Sequence, residues 1–305
     1  MTNDQFKIVG LGEILWDVYE HGKFLGGAPA NFAVHCHQLG DLGIIVSRIG
    51  IDALGREMLR ELESRKLTTL LIQRDNSNPT GTVQVSLDEQ GQPKFRCSVN
   101  VAFDHLEMDL SLRQLAGIAD AVLFGTLAQR GAQTREAIHS FLALANRAFK
   151  VYDVNIRGWD DATRSIVESS LVRADAVKLN QNELAILKEA WRPTLDDESF
   201  LRFLFNEFNL KLVALTLGAD GCMLLNSDEL VRTPGIAINP IDTTGCGDAF
   251  AAAMIHHYLR GNSLKEIAEA SNALGAFVAQ FSGATPVYSR EKFEEFCRSV
   301  KTSSR

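Results

Sequence analysis

The sequence predicts an α/β fold, a doubly wound and mostly parallel sheet with helices on both faces. Short apolar runs alternate with stretches of helical periodicity along nearly the whole 305-residue chain. Parallel strands that are buried on both faces have this near-continuous apolar character, and a crossover helix separates each strand from the next. One segment, Thr80–Phe103, departs from the alternation and predicts an added antiparallel β element.

The apolar runs predict the buried strands of the main sheet. Each run is short, and its length fits a strand better than a helix. The predicted strands are Phe6–Gly10, Ile44–Ile49, Ala121–Gly125, Lys150–Asp153, Ala176–Leu179 and Leu212–Leu217.

The stretches between these strands have the spacing of helices. One of the helices, predicted at Asp248–Leu259, is apolar nearly all round, which indicates a helix buried on every side. The other helices are predicted at Asn31–Leu39, Leu54–Arg65, Gln133–Ala148, Thr163–Leu171, Glu183–Ala190, Ser199–Phe208 and Ser263–Gln280.

The segment Thr80–Phe103 reads as a β-hairpin. Apolar residues alternate with polar ones at Val83, Val85 and Leu87, a turn follows at Asp88–Gly91, and the chain then returns as a strand. A hairpin inserted in an α/β chain can close over a site as a lid. An antiparallel sheet edge and a dimer contact are the alternatives.

Composition excludes several classes of function. The net charge of −7 and the lack of a basic run argue against a nucleic-acid surface. The five cysteines, at positions 36, 97, 222, 246 and 297, form no Cys-x-x-Cys pair. This favours reduced thiols over disulfides or a zinc site. The N-terminus lacks a signal-peptide pattern, and no apolar run reaches the ~18–20 residues that span a bilayer. We therefore expect a cytoplasmic protein without nucleic-acid or membrane partners.

The segment Asp242–Phe250, with the sequence DTTGCGDAF, places two glycines and a carboxylate at the start of the buried helix. Gly245 and Gly247 let the backbone bend and expose its N–H groups, and the first amides of a helix attract anions. Asp248 would repel such an anion, unless it accepts a proton from a hydroxyl while the amides hold a phosphoryl group. Phosphoryl transfer needs this combination. The alternative is an Asp N-cap on an ordinary helix.

This segment resembles the C-terminal signature of the PfkB, or ribokinase-like, family of sugar kinases. Gly26–Ala33, with the sequence GGAPANFA, and the following Leu39-Gly40 resemble the family's N-terminal signature. The resemblance covers essentially the whole chain. It implies one ribokinase-like domain over residues 1–305, with β-lid segments at about 13–25 and 80–104. It also implies ATP and Mg²⁺ as cofactors, a sugar substrate, and a homodimer formed through the lid.

For catalysis, the resemblance implies that Asp248 is the general base for a sugar hydroxyl. The amides of Gly245, Cys246 and Gly247 are expected to stabilise the transferred phosphoryl group. These amides should also favour the thiolate of Cys246 and make it reactive. The alternative is an inert small residue in a tight turn.

A sugar site is predicted near the first strand. Asp17 follows that strand at the edge where ligands bind in open α/β sheets. Its carboxylate accepts hydrogen bonds from hydroxyls, and the Asn31 amide both donates and accepts. The alternative is a turn and a helix that begins at a proline, with Asn31 near the cap. The resemblance supports a sugar site formed by Asp17, Gly26, Gly27, Asn31, Phe103 and Arg157.

The motif Asp153–Arg157, with the sequence DVNIR, bears on which sugar is bound. Its arginine could place a planar cation near a phosphate or the sugar; the alternative is a surface ion pair. The motif resembles the fructokinase branch of the family, as do Gly12–Asp17, Pro79–Val83 and Val101–Asp104. We therefore predict phosphorylation of fructose on its 6-hydroxyl. The alternatives are 2-keto-3-deoxygluconate, ribose or a nucleoside as acceptor, since fold does not fix substrate, and a non-catalytic sugar-binding regulatory protein.

Nucleotide and Mg²⁺ binding are predicted after two later strands. Asn180 and Glu183 share a face at a helix start. They either order the water shell of Mg²⁺, which keeps most of its waters, or form a capping box. The loop Thr216–Gly221 joins two strands in a tight turn with exposed amides. The resemblance implies nucleotide contacts at Asn180, Glu183, Thr216, Gly218, Gly221 and Asn272, the last of these near the adenine.

A monovalent cation such as K⁺ is the last ligand that the resemblance implies. Backbone carbonyls hold this ion in several members of the family. The matching positions are Asp242, Thr244, Val278, Phe281 and Gly283. A turn or a helix C-cap at Gly283 is the alternative for that residue.

Overall fold

The computed structural model describes residues 5–20, 22–87 and 93–303. In chain order the strands are β1 (Lys7–Leu11), β2 (Leu15–Tyr19), β3 (Gly22–Gly26), β4 (Leu42–Gly50), β5 (Ile72–Asp75), β6 (Gly81–Leu87), β7 (Pro93–Cys97), β8 (Ala121–Gly125), β9 (Phe149–Asp153), β10 (Ala176–Asn180), β11 (Leu212–Thr216), β12 (Cys222–Leu225) and β13 (Leu230–Thr233). The helices are α1 (Ala28–Gln38), α2 (Ala53–Ser64), α3 (Leu110–Ile118), α4 (Ala132–Leu144), α5 (Asp161–Leu171), α6 (Gln181–Trp191), α7 (Asp197–Glu207), α8 (Cys246–Tyr258), α9 (Leu264–Val278) and α10 (Arg290–Ser303).

The main sheet has the strand order β13-β12-β11-β10-β9-β8-β1-β4-β5. Its strands from β11 to β5 pair in parallel, and β12 and β13 add an antiparallel edge. All the strands predicted from apolar runs are present in this sheet, so the predicted α/β class is confirmed. Strand β13 escaped prediction because it is a short, half-exposed edge strand with no strong apolar run.

Alternate residues of the strands face two separate cores. On β1, Ile8 packs in the core shared with α8 and α9, whereas Val9 and Leu11 pack on the opposite side. Every residue of Ala249–Ile255 is buried, as the apolar pattern of α8 predicted. This is the double cover that a parallel sheet requires.

The boundaries of the predicted helices agree with the structure within a few residues, with one clear exception. The helix predicted at Gln133–Ala148 ends at Leu144, where the Ala145 amide closes the last turn onto Phe141. Residues 145–148 form the connection to β9 and not a final helical turn. Helices α3 and α10 were missed.

A separate sheet, with strand order β3-β2-β6-β7, stands beside the main one. Strands β6 and β7 pair antiparallel, as the predicted hairpin requires; the turn predicted at Asp88–Gly91 lies outside the described residues. Strands β2 and β6 pair in parallel and join this hairpin to a second one, β2–β3. We call this sheet the lid sheet. A small core formed by Leu15, Val83, Val101 and Phe103 lies beneath it.

Candidate active site at the carboxyl edge of the main sheet

Several of the predicted functional residues lie at or just beyond the carboxyl ends of β1, β9 and β10, a region that we call the cleft. In the sheet, β1 lies between β4 on one side and β8 on the other, so the order of the strands reverses here. Such a switch point is where open α/β sheets bind ligands. The start of α8 and the lid sheet border the same cleft.

The first turn of α8 exposes backbone amides to the cleft. Gly245 is the N-cap, with a left-handed φ of 78°, and a Cβ there would lie 2.5 Å from the Ala284 carbonyl oxygen. Both conformation and space therefore require glycine. The Cys246 amide donates to the Thr243 carbonyl at 3.3 Å. The amides of Gly245 and Gly247 have no hydrogen-bond partner within the described part of the chain, and we call them the open amides.

Asp248 lies in the first turn of α8 but does not cap it. The N-cap Gly245 supplies no side-chain cap, so the N-cap alternative for Asp248 is wrong. Its Oδ2 instead accepts a hydrogen bond from Asn31 Nδ2 at 2.8 Å. Asn31 lies in α1, which packs against α8. This hydrogen bond thus connects Asn31 of the predicted N-terminal signature to Asp248 of the predicted C-terminal signature.

The charge surroundings of Asp248 raise its pKa. Burial is the largest cause and the Asp153 carboxylate the next; together they raise the pKa from 3.8 to about 7. Lys178, the Asn31 hydrogen bond and Arg157 act in the opposite direction. A carboxyl group with this pKa can both accept and release a proton near neutral pH, as a general base must.

A buried ion pair lies below Asp248. Lys178 Nζ on β10 donates to both carboxylate oxygens of Asp153, the last residue of β9, at 2.9 and 3.0 Å. Sequence reasoning missed Lys178. A single lysine inside the apolar run Ala176–Leu179 was the available signal, because buried lysines are rare unless they are paired.

Glu13 is a second residue that sequence reasoning missed. It follows β1, is only 2% exposed, and its Oε2 has no hydrogen-bond partner within the described residues. Burial raises its pKa from 4.5 to about 7; Arg157 opposes the rise, and Asp248 and Asp153 add to it. Asn31 Oδ1 is also buried without a partner in the described chain. Buried acceptors of this kind are suited to receive hydrogen bonds from a bound molecule.

Asp17 lies on β2 of the lid sheet, opposite the glycines of the first signature. A Cβ on Gly26 would lie 2.2 Å from Asp17 Oδ2, and a Cβ on Gly27 would lie 2.5 Å from the Glu13 carbonyl oxygen. Glycine at both positions therefore makes room for the neighbouring chain. Burial raises the pKa of Asp17 to about 6, and Arg157 counteracts this.

The other two residues of the predicted sugar site differ sharply in exposure. Arg157, in the loop after β9, is exposed and makes no hydrogen bond or ion pair within the described residues. Its charge nevertheless lowers the pKa values of Glu13, Asp17 and Asp248. Phe103 has no exposed surface, and the Arg130 guanidinium lies 4.9 Å from the centre of its ring. The structure therefore assigns Phe103 to the packing beneath the lid sheet, which corrects its predicted place on the sugar surface.

Asn180 and Glu183 form a complete capping box at the start of α6. The Glu183 amide donates to Asn180 Oδ1 at 3.0 Å, and the Asn180 amide donates to Glu183 Oε2 at 2.8 Å. Burial and Asp153 raise the pKa of Glu183, against the influence of Lys178. In the described residues, His, Cys, Asp and Glu side chains form no cluster of three or more that could hold a metal directly.

The predicted nucleotide loop joins β11 to β12. Gly218 and Gly221 have left-handed φ values of 58° and 100°, and a Cβ on Gly221 would lie 2.0 Å from the Thr233 carbonyl oxygen. Thr216 Oγ1 donates to the Leu179 carbonyl at 3.4 Å. Asn272 Nδ2 donates to the Pro234 carbonyl at 3.2 Å, which links α9 to the segment after β13.

The two segments predicted to supply cation ligands lie against each other. Asp242 Oδ1 accepts from the Thr244 amide, and Oδ2 accepts from the Gly283 amide, each at 2.9 Å. The Ile241 amide donates to the Ala279 carbonyl at 2.7 Å. Nearby, the Phe281 amide donates to the Val278 carbonyl at 3.0 Å. These hydrogen bonds hold the two segments side by side.

The expectation of a reactive thiol at Cys246 is wrong. Burial, Asp248 and Asp242 raise its pKa to about 12, so the thiolate is strongly disfavoured at neutral pH. The neighbouring amides do not compensate for two carboxylates and the loss of water.

No helix in the described ranges is both long and apolar enough to cross a membrane.

Comparison with known proteins decides the family. Residues 8–290 match the pfkB family of carbohydrate kinases. The chain belongs to this family. The family resemblance predicted from the two signatures is thus confirmed.

Similar proteins within the pfkB family include sugar kinases from distant organisms. The putative sugar kinase PH1459 of Pyrococcus horikoshii is 29% identical over 91% of this chain and 91% of its own length. Fructokinase-2 of Oryza sativa subsp. japonica is 29% identical over 92% of this chain and 90% of that protein.

Solved structures agree on the ribokinase-like fold. PH1459 has a TM-score of 0.80 at 27% identity, covering 96% of this chain and 99% of that chain; its complex with ATP has a TM-score of 0.79 at 26% identity and the same coverage. Fructokinase from Vibrio cholerae O395, with fructose, ADP and calcium ion bound, has a TM-score of 0.83 at 24% identity, covering 97% and 99%. This last likeness concerns the fold alone.

Proposed function

We propose that this pfkB-family kinase transfers the γ-phosphoryl group of ATP to a hydroxyl of fructose, giving fructose 6-phosphate. One observation carries the proposal: the Asp248 carboxyl, with its pKa raised to about 7, stands in the first turn of α8 beside the open amides. A proton acceptor and an anion-stabilising helix start thus share one corner of the cleft.

In this mechanism Asp248 accepts the proton of the attacking sugar hydroxyl. The new bond joins the sugar oxygen to the γ-phosphorus, and the bond between that phosphorus and the bridging oxygen of ADP breaks. The open amides and the dipole of α8 stabilise charge on the transferred group. The Asn31 hydrogen bond keeps the Asp248 carboxylate in one orientation.

The donors at the carboxyl edge fit a hydrated Mg²⁺ ion, which supplies positive charge to the ATP phosphates when bound. The carboxyl groups of Asp153, Glu183 and Asp248 act on the buried ammonium of Lys178, and Glu13 acts with Asp153 and Asp248. This excess of carboxyl groups favours the binding of a further cation there. Asn180 and Glu183 would hold waters of the ion; the capping box fixes their orientation. The nucleotide itself would contact Thr216, Gly218, Gly221 and Asn272.

A monovalent cation such as K⁺ is part of the proposal. The contacts from Asp242 to the amides of Thr244 and Gly283 bring the two carbonyl-bearing segments together. Carbonyl oxygens are suitable ligands for such an ion. The bound ion would add positive charge at the start of α8.

The sugar would lie between the lid sheet and α8. Asp17 and Asn31 offer hydrogen-bond acceptors, and exposed Arg157 offers a cation to a phosphate or a hydroxyl. The lid sheet would exclude water, which would otherwise compete as the phosphoryl acceptor.

Fructose is favoured as the acceptor by the names of the relatives, which include Fructokinase-2, and by the Asp153–Arg157 motif. The alternatives in the family are 2-keto-3-deoxygluconate, ribose and nucleosides. A non-catalytic sugar-binding protein is disfavoured, because such a protein would have no need of a raised-pKa carboxyl beside the open amides.

An acceptor panel tests the proposal. ADP release is measured with fructose, glucose, ribose, 2-keto-3-deoxygluconate and nucleosides, and phosphorus NMR of the product identifies the phosphorylated hydroxyl. We expect kcat/KM for fructose to exceed that for glucose at least about tenfold, because a polar site rejects an isomer that leaves its groups unpaired. A better acceptor than fructose would change the proposed sugar substrate but leave the proposed kinase activity standing. Sugar binding without any ADP release would contradict the kinase mechanism.

A homodimer formed through the lid sheet and a cytoplasmic location complete the proposal. The dimer is supported by the exposed Phe24 and Val99 side chains on and next to this sheet, 39% and 71% exposed. The location is supported by free thiols at Cys36, Cys97, Cys222 and Cys246. Sedimentation should give twice the 33.6 kDa chain mass, and Val99→Asp should shift it toward the monomer.

A further inference from the structure

One N–H group of the Lys178 ammonium has no hydrogen-bond partner among the described residues. An ammonium group carries three hydrogen-bond donors. Two of these go to Asp153, at 2.9 and 3.0 Å, and no acceptor for the third lies among the described residues. The side chain is only 8% exposed. A buried donor is usually satisfied, so the third N–H of Lys178 is suited to a ligand that enters the cleft.

The Lys178 ammonium lies directly against the start of α8. A Cβ on Gly247 would lie 3.0 Å from Lys178 Nζ, so the ammonium borders one of the two residues that carry the open amides. Gly247, unlike Gly245, does not have a positive φ. A side chain at position 247 would therefore crowd the Lys178 ammonium, whereas the backbone conformation there does not call for glycine.

The surrounding charges favour a functional role for this pair. A buried ion pair is weak as a stabilising device, because desolvation offsets the attraction between its members. Here the pair also lies among Glu13, Glu183 and Asp248, whose pKa values are all raised. The two hydrogen bonds to the Asp153 carboxylate hold the ammonium in place beside these groups.

We propose that Lys178 is a further catalytic residue, whose third N–H donates a hydrogen bond to the transferred phosphoryl group opposite the open amides, while Asp153 holds the ammonium in place. The inference rests on the proposed kinase reaction and deepens it. Lys178 keeps its proton throughout, since the proton of the sugar hydroxyl goes to Asp248. Its contribution is positive charge where the phosphoryl oxygens gain negative charge.

The decisive variant is the double substitution Lys178→Met with Asp153→Asn. It removes both charges, so no buried carboxylate is left without a partner and folding should be preserved. If Lys178 only neutralises Asp153, this variant should match Asp153→Asn alone, which shares the loss of the Asp153 charge that acts on Asp248. If Lys178 touches the phosphoryl group, kcat of the double variant should fall about 10²–10³-fold below that of Asp153→Asn, while calorimetry shows sugar and ATP affinities within about fivefold of that variant. Lys211→Met, which breaks an exposed pair with Asp175, is the matched control.

A binding measurement tests the role of Lys178 without relying on turnover. ADP with fluoroaluminate mimics the transferred phosphoryl group, and the double variant should lose its tight binding in the presence of sugar by a similar factor of about 10²–10³. Asp153→Asn alone should keep part of the tight binding, because the ammonium remains.

Two controls keep the outcomes distinct. Wild-type turnover with the best acceptor of the panel, and its loss in Asp248→Asn, test the proposed function alone. If both behave as proposed and the double variant matches Asp153→Asn within about threefold in kcat and in fluoroaluminate binding, the role of Lys178 is overturned.

Discussion

The carboxyl groups at the two ends of helix α8 have pKa values that are shifted in opposite directions. At the C-terminal end, Asp41 is fully buried and contacts His256 Nδ1 at 2.6 Å and Arg260 Nη2 at 2.7 Å. Burial raises its pKa, but the hydrogen bonds from His256 and Arg260 outweigh burial and hold the pKa below its usual value. At the N-terminal end, Asp248 has one amide partner and a pKa raised to about 7.

The difference follows from what faces each carboxylate. Asp41 contacts cationic or protonatable side chains. For Asp248, the Asp153 carboxylate raises the pKa more than Lys178 lowers it. The Asp41 carboxylate therefore stays ionised and depends on its partners, whereas the Asp248 carboxyl group can exchange a proton near neutral pH. The predictions below test this contrast, from the largest expected effect to the smallest.

Asp248→Asn should reduce kcat by about 10²–10⁴-fold, because an amide cannot accept the proton of the sugar hydroxyl. Sugar affinity by calorimetry and the far-ultraviolet circular dichroism should change little. A variant that retains more than about a tenth of the wild-type kcat would remove Asp248 from the mechanism.

Asp41→Ala should lower the free energy of unfolding by about 3–5 kcal/mol, because it leaves the groups of a buried ion pair without their partner. Urea denaturation measures the loss, and kcat of the folded fraction should stay near the wild-type value. Glu198→Gln, which breaks an exposed helix pair with Arg202, is the control and should have almost no effect. Equal losses in both variants would contradict the structural role of Asp41.

Asp17→Ala should weaken sugar binding by about 1.5–3 kcal/mol, the usual loss for a hydrogen bond to a charged group. ATP affinity should be unchanged, because Asp17 lies on the lid sheet and away from the nucleotide loop. Asp17→Asn, which keeps the shape and one acceptor oxygen, should lose less. Unchanged sugar affinity in the alanine variant would place the sugar elsewhere.

Glu13→Gln should stabilise the protein by about 1–3 kcal/mol at pH 8. The folded-state pKa of Glu13 is raised from 4.5 to about 7, so the unfolded chain releases this proton at lower pH than the folded one. Wild-type stability therefore falls as pH rises between these values, and the variant lacks this loss. Thermal unfolding should show the gain at pH 8 and none at pH 4. Exposed Glu189→Gln is the control; a gain that is equal at both pH values would refute the assignment.

The strands and the signatures could be predicted from the sequence because each leaves a local pattern. The apolar runs of the main sheet and the glycines around Asp248 are such patterns, and the predicted α/β class is confirmed. The end of α4 could not be predicted from the sequence, because the residues 145–148 are themselves compatible with a helix. Their place in the connection to β9 is clear only from the structure.

The electrostatics of the site could not be predicted, because they depend on residues far apart in the chain. Lys178 is a single charge within an apolar run and forms no motif, and Glu13 belongs to a fructokinase-like run that does not show its burial. The thiol of Cys246 was wrongly expected to be reactive, since its local amides were visible in the sequence but its burial was not. Phe103 likewise matched a motif, while its lack of exposure depends on how the lid sheet packs.

The pH dependence of kcat/KM for the sugar tests the central claim most directly, because it reports the essential base of the free enzyme. Burial, and after it the Asp153 carboxylate, raise the pKa of Asp248 to about 7 against the opposing effects of Lys178, Asn31 and Arg157. The base must be ionised, so kcat/KM should rise tenfold per pH unit below about 7 and level off above it. A profile that is flat from about pH 5 to 8, or that falls with rising pH, would contradict the account.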